Sequence, residues 1–306
     1  MTNNANKIKS DSLWAQIVKA KHNYILLAPF LLFFTVFTAL PIVLSVIIGF
    51  TDYDMLNFPN FVGMDNYTRL FLDDSVFLIA LRNTLILAFL TGPVSYILCF
   101  LFAWLINELK PALRSFVTVV FYAPVLSGQA FTIWLFIFSS DRYGLANGIM
   151  LKLGLINDSV NWLADPRYMM TIIIIVQLWM SLGTGFLAFI AGLQGTDKSL
   201  YEAGNIDGIS NRFQELWYIT LPQMVPQLLF GAVMQIVTAF SVADIPIALA
   251  GFPSTEYAAE TIVTHIMDYG TIRFEMGFAS AVATVLFAMM FLSNKAVSRL
   301  LRGIGH

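Results

Sequence analysis

Charged residues are scarce in this chain. Lysine, arginine, aspartate and glutamate together make up 12% of its 306 residues, against 58% apolar residues and a mean hydropathy of +0.74. A soluble domain carries about 25% charged residues. The few charges are also clustered, so that long segments carry none. The composition therefore excludes an ordinary soluble protein and predicts a polytopic membrane protein with one membrane domain.

Cysteine and histidine are nearly absent as well. Cys99 is the only cysteine and lies inside an apolar segment, which excludes an intramolecular disulfide and favours a small buried hydrophobe. The three histidines, His22, His265 and His306, are not spaced for a metal site. The net charge of −2 gives no indication of a nucleic-acid partner.

The motifs of common catalytic sites are missing. No G-x-x-x-x-G-K-[ST], H-E-x-x-H or C-x-x-C sequence occurs, so the chain has no phosphate-binding loop of its own. Residues 183–188 fit G-x-G-x-x-A, but they lie inside an apolar span with no strand before it, and small residues for close helix packing explain them better. We therefore expect a non-catalytic chain with no cofactor and no metal of its own.

Six apolar segments are long enough to cross a membrane, since a span needs about 20 residues. They cover residues 24–50, 76–106, 113–138, 168–194, 222–250 and 276–292. The first is too long for a signal peptide and has no small-residue cleavage site, so we expect it to be retained. The predicted fold class is all-α, with a six-span domain over residues 24–306 and a polar cytoplasmic segment over residues 1–23.

The basic residues predict the orientation of the chain. With both termini inside, the inner segments hold 11 of the 17 lysines and arginines. The positive-inside rule then predicts a multi-pass plasma-membrane protein with both termini in the cytoplasm. The polar loop between the fourth and fifth spans, at about 195–221, faces the cytoplasm too.

This loop has more local structure than a plain connection needs. Ser199 and Glu202 have the spacing of a capping box, while Gly204 and Gly208 weaken and then stop the helix. Residues 211–217 can form a second short helix. Local spacing favours the interpretation that Glu202 only caps its own helix.

The apolar side chains of the loop favour a second interpretation, in which the loop, with Glu202, docks into a groove of a partner. They are Leu200, Tyr201, Ala203, Ile206, Phe213, Leu216 and Trp217. After them, Thr220 and Pro222 have the positions of an N-cap and a first-turn proline at the start of the fifth span.

The loop resembles that of a known family. Glu202-Ala203-Gly204, Asp207-Gly208 and Ile219-Thr220-Leu221-Pro222 are similar to the EAA loop of binding-protein-dependent ABC importer permeases, and Tyr201 with Ile206-Asp207-Gly208 resembles the carbohydrate branch. Other segments resemble the maltose-permease-like subunit, namely 61–67, 82–85, 143–147 and 191–194. The resemblance covers nearly the whole chain from about Leu26, and Gly204 departs from it, since the family usually has a second alanine there.

The resemblance implies a set of roles and partners. The loop would dock into a cleft of a separate cytoplasmic ABC ATPase, which would bind the ATP and Mg²⁺. Glu202 would pair with a basic residue there, Ala203 and Gly204 would make close contacts, and Gly208, next to Asp207, would form the bend. The other partners would be a second homologous permease, an extracytoplasmic sugar-binding protein and membrane lipid, in a bacterial cell membrane.

Polar side chains in mid-span mark pathways or helix contacts, because they are costly there. On the two spans that flank the loop they form stripes, Gln177, Ser181 and Thr184 on the fourth and Gln235, Thr238 and Ser241 on the fifth. An interhelical hydrogen bond explains any single one equally well, but two converging stripes favour a cavity. Neutral amides and hydroxyls suit a sugar, and Trp179 or Phe240 could stack on a sugar face. The resemblance agrees, since related permeases contact sugar from these two spans.

Asp244 is the only acid within a predicted span, about 33 Å from Pro222 at 1.5 Å per residue. This depth near the outer mouth suits an interfacial acid or a sugar ligand, and Pro246 predicts a helix break there. An ion-coupled secondary transporter is the alternative function, but its ion site should lie nearer mid-membrane. We therefore expect a permease subunit of an ATP-driven carbohydrate importer that works by alternating access, and the sequence leaves the sugar open.

Overall fold

The computed structural model describes residues 21–302 of the chain. Of the predicted amino-terminal segment 1–23, only the last three residues fall within this range, where they begin the first helix. The remainder of that segment and His306 lie outside the described residues.

The described chain is helical, as predicted, and forms no strand; Thr51 and Phe61 make only an isolated bridge. The first helices are α1 (Lys21–Ile48, with a π-helical turn at Thr35–Ala39), α2 (Asp65–Leu72), α3 (Ser75–Asn107), α4 (Pro111–Ser127), α5 (Ala130–Ile137), α6 (Leu145–Lys152) and α7 (Pro166–Trp179). They are followed by α8 (Thr184–Gly195), α9 (Lys198–Ile206), α10 (Arg212–Glu215, continued by a π-helical turn at Leu216–Thr220 and one α turn at Leu221–Gln223), α11 (Val225–Phe240), α12 (Asp244–Ala250), α13 (Ile262–Met267) and α14 (Met276–Arg302).

The apolar helices correspond to the six predicted spans, with one correction. Five are long enough to cross a membrane, namely α1, α3, α7 with α8, α11 with α12, and α14. The third predicted span, 113–138, is not straight, because α4 and α5 meet at an angle of 84°. Gly128 explains the bend: its φ of +65° ends α4 in the left-handed conformation that glycine adopts most easily.

Two more spans are interrupted, the fourth near its middle and the fifth nearer its carboxyl end. In the fourth span α7 ends at Trp179 and α8 begins at Thr184, and in the fifth α11 ends at Phe240 and α12 begins at Asp244. The break expected at Pro246 therefore comes earlier, at 241–243. Pro246 instead occupies the first turn of α12, where its missing N–H leaves no hydrogen bond unmade.

The centre of the bundle is built by α3, α8, α11 and α14. Helices α8 and α11 pack closely against each other. Gly185 of α8 faces Gly231 of α11, where an added Cβ atom on Gly185 would lie 3.5 Å from the Gly231 Cα, and Gly231 in turn faces the ring of Phe189. Of the small residues of 183–188, Gly185 thus lies in the contact between α8 and α11, as the packing interpretation predicts. Since α8 leads directly into α9, and α10 leads into α11, the polar loop is connected at both ends to helices of this centre.

Candidate functional site

The start of α9 differs from the sequence prediction. Asp197, not Ser199, is the N-cap, and its carboxylate accepts a hydrogen bond of 3.0 Å from the backbone N–H of Ser199. This bond and the Ser199 side chain hold the pKa of Asp197 below its ordinary value of 3.8. Ser199 lies inside the helix, so Ser199 and Glu202 form no capping box. The Glu202 side chain is exposed and makes no hydrogen bond or ion pair within residues 21–302.

The inner face of α9 packs against the loop that follows it. Gly204 is buried, and a Cβ atom there would lie 2.7 Å from Cδ1 of Ile219 and 3.1 Å from Cδ1 of Ile209. The hydroxyl groups of Tyr201 and Thr220 are hydrogen-bonded at 2.9 Å. Helix α9 is therefore fixed to α10, and the close contact made by Gly204 is within this chain.

The end of α9 is a Schellman motif. The Ile209 N–H donates to the Gly204 carbonyl at 2.9 Å, and the Gly208 N–H donates to the Asn205 carbonyl at 3.4 Å. Gly208 has a φ of +93°, which is strained for any residue with a side chain. Gly208 thus forms the predicted bend, and Asp207 before it is the exposed C-cap.

Helix α10 anchors the loop to the carboxyl-terminal end of α3. The predicted second helix forms with Asn211 as its N-cap, and Arg212 pairs with Glu108, at the C-cap of α3, at 3.0 Å. Arg212 also pairs with Glu215 at 2.8 Å, and these two carboxylates, Glu215 first, raise the pKa of Arg212. The ring of Phe213 packs against Trp104 of α3.

Thr220 does not act as the predicted N-cap. Its backbone is helical, its hydroxyl donates to the Glu215 carbonyl at 3.2 Å, and the helix runs through it to Gln223. The π-helical turn explains this, because its wider hydrogen-bond spacing lets a hydroxyl reach back five residues.

The outward face of α9 combines one free carboxylate with apolar surface. Glu202 and Ala203 are exposed, and Ile206, one turn after Glu202, is 88% exposed. Residues four apart lie on the same side of a helix. This face therefore offers an ionic contact and an apolar contact on a helix that its own chain holds in place, a combination suited to a groove with a basic group in it.

The predicted path residues divide into buried and exposed groups. Gln177, Ser181, Gln235 and Phe240 are buried, whereas Trp179, Thr184, Thr238, Ser241 and Asp244 are exposed. The structure therefore does not bring each predicted stripe together as one accessible surface.

Gln235 takes part in a helix contact. Its amide nitrogen donates to the Ser181 carbonyl at 3.2 Å and lies 3.1 Å from the Cys99 sulfur. The Ser181 hydroxyl donates to the Leu178 carbonyl at 2.6 Å. These contacts connect α3, α11 and the broken fourth span, as expected for the interhelical hydrogen bonds that were the alternative to a cavity.

The exposed polar residues lie beside the two helix breaks. Thr184 begins α8, Ser241 follows α11, and Asp244 begins α12. Backbone that leaves the helical conformation at membrane depth is stable only where protein or a water-filled cavity surrounds it. The sequence predicts a break near Pro246 in the fifth span, but sequence reasoning missed the break in the fourth, for which Ser181-Leu182-Gly183 was an available signal.

A polar cluster at the other end of α3 was not predicted. Asp74 caps α3 and lies 3.0 Å from Nε2 of His265 on α13, with both side chains buried. Burial lowers the pKa of His265, against the opposing effect of the Asp74 charge. Asn83 donates to the carbonyls of Ala258 and Glu260 at 3.1 and 2.9 Å. Residues 21–302 contain no cluster of three or more His, Cys, Asp or Glu side chains able to hold a metal ion.

Known proteins resemble this chain in both sequence and fold. Residues 97–304 match the family of the binding-protein-dependent transport system inner membrane component. The chain is 31% identical over 271 residues to the arabinooligosaccharides transport system permease protein of Bacillus subtilis, covering 88% of this chain and 85% of that protein. It is 31% identical over 229 residues to the lactose transport system permease protein of Rhizobium radiobacter, covering 73% and 74%.

A solved structure has the same fold. It is a chain of a bacterial alginate ABC transporter, crystallised in complex with an alginate pentasaccharide-bound periplasmic protein. The TM-score is 0.74 at 24% identity, over 96% of this chain and 99% of that one.

Proposed function

This chain belongs to the inner-membrane components of binding-protein-dependent transport systems, among sugar ABC transporter permeases, and on that premise we propose that α9 is its docking helix for a cytoplasmic ATPase. The observation that carries the proposal is the unpaired, exposed carboxylate of Glu202, with exposed Ile206 one turn away. Because Asp197 caps the helix, Glu202 is not needed for that purpose. An ATPase cleft with one basic and one apolar subsite would complement this face.

The connections of α9 suit it to transmit movement. It follows α8 after a two-residue link, and its contacts with Thr220 and Ile219 join it to the helix that leads into α11. Arg212 ties the same unit to α3. Closure of two ATPases on ATP would therefore displace the interrupted fourth and fifth spans together and change the side on which the path is open.

The transported molecule is a carbohydrate in this proposal, and the path runs along the exposed polar residues beside the two helix breaks. Thr184, Thr238 and Ser241 supply neutral hydroxyls there, with Asp244 near the outer mouth. The two relatives are carriers of sugars by their names, which supports this substrate class. An ion-coupled secondary transporter is not favoured, because the family matched is one of binding-protein-dependent systems.

The proposed assembly contains this chain, a second homologous permease, ATPase chains that bind ATP and Mg²⁺, and an extracytoplasmic sugar-binding protein. The alginate transporter was crystallised with its periplasmic protein, which supports the last of these partners. Both termini lie in the cytoplasm in this arrangement, as the basic residues predict. This orientation places α9 on the side where ATP is available.

Glu202 variants test the docking function. The full chain, carrying an affinity tag, is purified from its own cells, and the ATP hydrolysis that copurifies with it is measured per mole of chain. We expect Glu202→Gln to lower this activity about tenfold, the effect of losing about 1.4 kcal/mol of binding free energy, and Glu202→Lys to lower it further. Both variants should insert in normal amounts.

Asp158→Asn is the matched control, because it removes an exposed carboxylate from the opposite side of the membrane. It should retain the full activity. If both Glu202 variants retained wild-type activity as well, α9 would not be the docking helix.

A further inference from the structure

Arg82 is an exposed cation on a membrane-spanning helix. It lies seven residues after the start of α3 and makes no hydrogen bond or ion pair with any side chain or backbone group of residues 21–302. The two residues after it fix the rotation of the helix, since Asn83 donates to the Glu260 carbonyl at 2.9 Å and Thr84 accepts from the Ile262 N–H at 2.9 Å. Arg82 therefore points away from these inward contacts.

The length of α3 sets the depth of Arg82. Its 33 residues extend about 50 Å, whereas the hydrocarbon layer is about 30 Å thick. With the excess shared equally, about 10 Å of helix projects from the layer at each end. Arg82 lies about 10 Å from Ser75 at the same rise per residue. Its guanidinium group is thus at the boundary where lipid phosphates meet the hydrocarbon.

An apolar track runs along α3 from this level towards mid-membrane. A shallow groove beside Arg82 is lined by Leu78, Leu81, Leu85, Ile86, Phe89 and Leu90. Phe89, which is 73% exposed, also borders a cavity of about 400 Å³ between α3, α11 and α14. Small residues make room for this cavity, among them Ala88, Gly92 and Ala239.

The track has the length of one lipid leaflet. Gly92 lies ten residues after Arg82, or about 15 Å along the helix, which is half of the hydrocarbon thickness. We propose that this face of α3 binds one phospholipid, with its phosphate on Arg82 and one acyl chain running past Phe89 into the cavity at Gly92. In the orientation proposed above, the lipid belongs to the outer leaflet.

A phospholipid suits this face better than the second permease subunit. A protein partner for Arg82 would have to supply a carboxylate at this one position on the second permease. Phosphates, in contrast, are present at this depth in every phospholipid, and guanidinium binds them with two parallel hydrogen bonds. The groove below Arg82 consists of leucine, isoleucine and phenylalanine, which need no polar partner.

Native mass spectrometry of the purified full chain, with the subunits that stay on it in mild detergent, tests the proposal. The wild type should retain one more phospholipid than Arg82→Gln, while Arg82→Lys should retain it about as well as wild type. Arg142→Gln is the matched control, because Arg142 is another exposed arginine without a partner in the described range but lies outside the spans. It should keep the lipid.

A second variant tests the cavity with the charge intact. A Cβ atom on Gly92 would lie 3.6 Å from the Cβ of Ala239, an ordinary contact, so Gly92→Val should fold and fill the space of the acyl chain. We expect it to lower lipid retention about fivefold. In delipidated protein, added phosphatidylglycerol should restore the bound species, whereas a diglucosyl diacylglycerol and inorganic phosphate should not.

Two outcomes would overturn the proposal. The first is an equal number of bound phospholipids in wild type and Arg82→Gln. The second is an Arg82→Gln variant that loses the second permease but keeps its lipid, because Arg82 would then be a protein contact.

Discussion

Gly204 and Ala203 are adjacent in α9 but face opposite surroundings. Gly204 is buried against the methyl ends of Ile209 and Ile219, while Ala203 is exposed beside Glu202. A larger side chain at Gly204 must push into this chain, whereas one at Ala203 extends outward. Substitutions at Gly204 therefore test the stability of the loop, and substitutions at Ala203 test its outward surface.

Leucine at each position gives different expected results. Gly204→Leu should lower the Tm of the purified chain by several degrees, since overpacking costs about 1–3 kcal/mol. Ala203→Leu should leave the Tm unchanged but reduce copurifying ATPase. Gly204→Ala should be nearly neutral, because the atom it meets is the flexible end of Ile219 and alanine favours helix by about 1 kcal/mol. A Tm that fell only in Ala203→Leu would reverse our assignment of the two faces.

The sequence singles out Glu202 as the docking candidate, which stays a prediction, but it does not identify the residue that caps the helix. Ser199 and Asp197 both have side chains that can cap, and the Ser199–Glu202 spacing favoured the serine. The choice depends on where the chain leaves α8, which is a tertiary feature. From local spacing Gly204 is likewise only a residue that weakens the helix, whereas its contact with Ile219, fifteen residues away, leaves room for no more than a small side chain.

Helix α9 is short for an isolated helix, so its ends matter to its stability. Its nine residues are held by the Asp197 cap at one end, by the Schellman motif at the other, and by the Tyr201–Thr220 hydrogen bond between them. Loss of one of these should loosen the first or last turn without unfolding the spans.

Asp197→Ala tests the cap. Without the carboxylate, the amides of the first turn of α9 should exchange hydrogen several-fold faster, because they open locally more often. Asp197→Asn should restore most of the protection, since its carbonyl oxygen still accepts from the Ser199 N–H. Equal exchange rates in wild type and Asp197→Ala would mean that packing alone holds the helix.

The pKa of Asp197 predicts the pH dependence of the same exchange. It is lower in the fold than in the unfolded chain, so the cap contributes fully above about pH 4 and is lost as the pH falls through the folded value. The protection of the first turn should therefore be constant near neutral pH in wild type, after correction for intrinsic exchange.

Hydropathy located the spans but not their interruptions. A window average treats α7 and α8 as one segment, and α11 and α12 as another, because residues 180–183 and 241–243 contain no charged residue. The breaks depend on partners distant in sequence: the Val242 carbonyl accepts from the hydroxyl of Thr261, and the Ser181 carbonyl accepts from Gln235. Such contacts satisfy backbone groups that a straight helix would pair internally.

At the scale of the whole molecule, the polar residues of the proposed path lie on the same two spans that the proposed docking loop connects. The fourth span leads into α9, and α10 leads into the fifth span, so a force on Glu202 would act on both. The exposed side chains of Thr184 and Thr238 would then face the proposed second permease across a shared path. The buried Gln235 would keep the two spans together as they move.

Cysteine accessibility tests which side of α11 lines that path. The native Cys99 is fully buried, so an introduced cysteine provides the reactive thiol. Thr238→Cys, at an exposed position, should react with a small charged thiol reagent in membranes about tenfold faster than Gln235→Cys, whose site is 6% exposed and lies one turn earlier. Since alternating access changes the side on which the path is open, ATP with vanadate should alter the rate at Thr238 and leave that at Gln235 unchanged. A faster reaction at Gln235 would place the path on the α3 side of α11, whereas an unreactive Thr238 together with an unreactive Gln235 would place Thr238 against lipid or a partner helix.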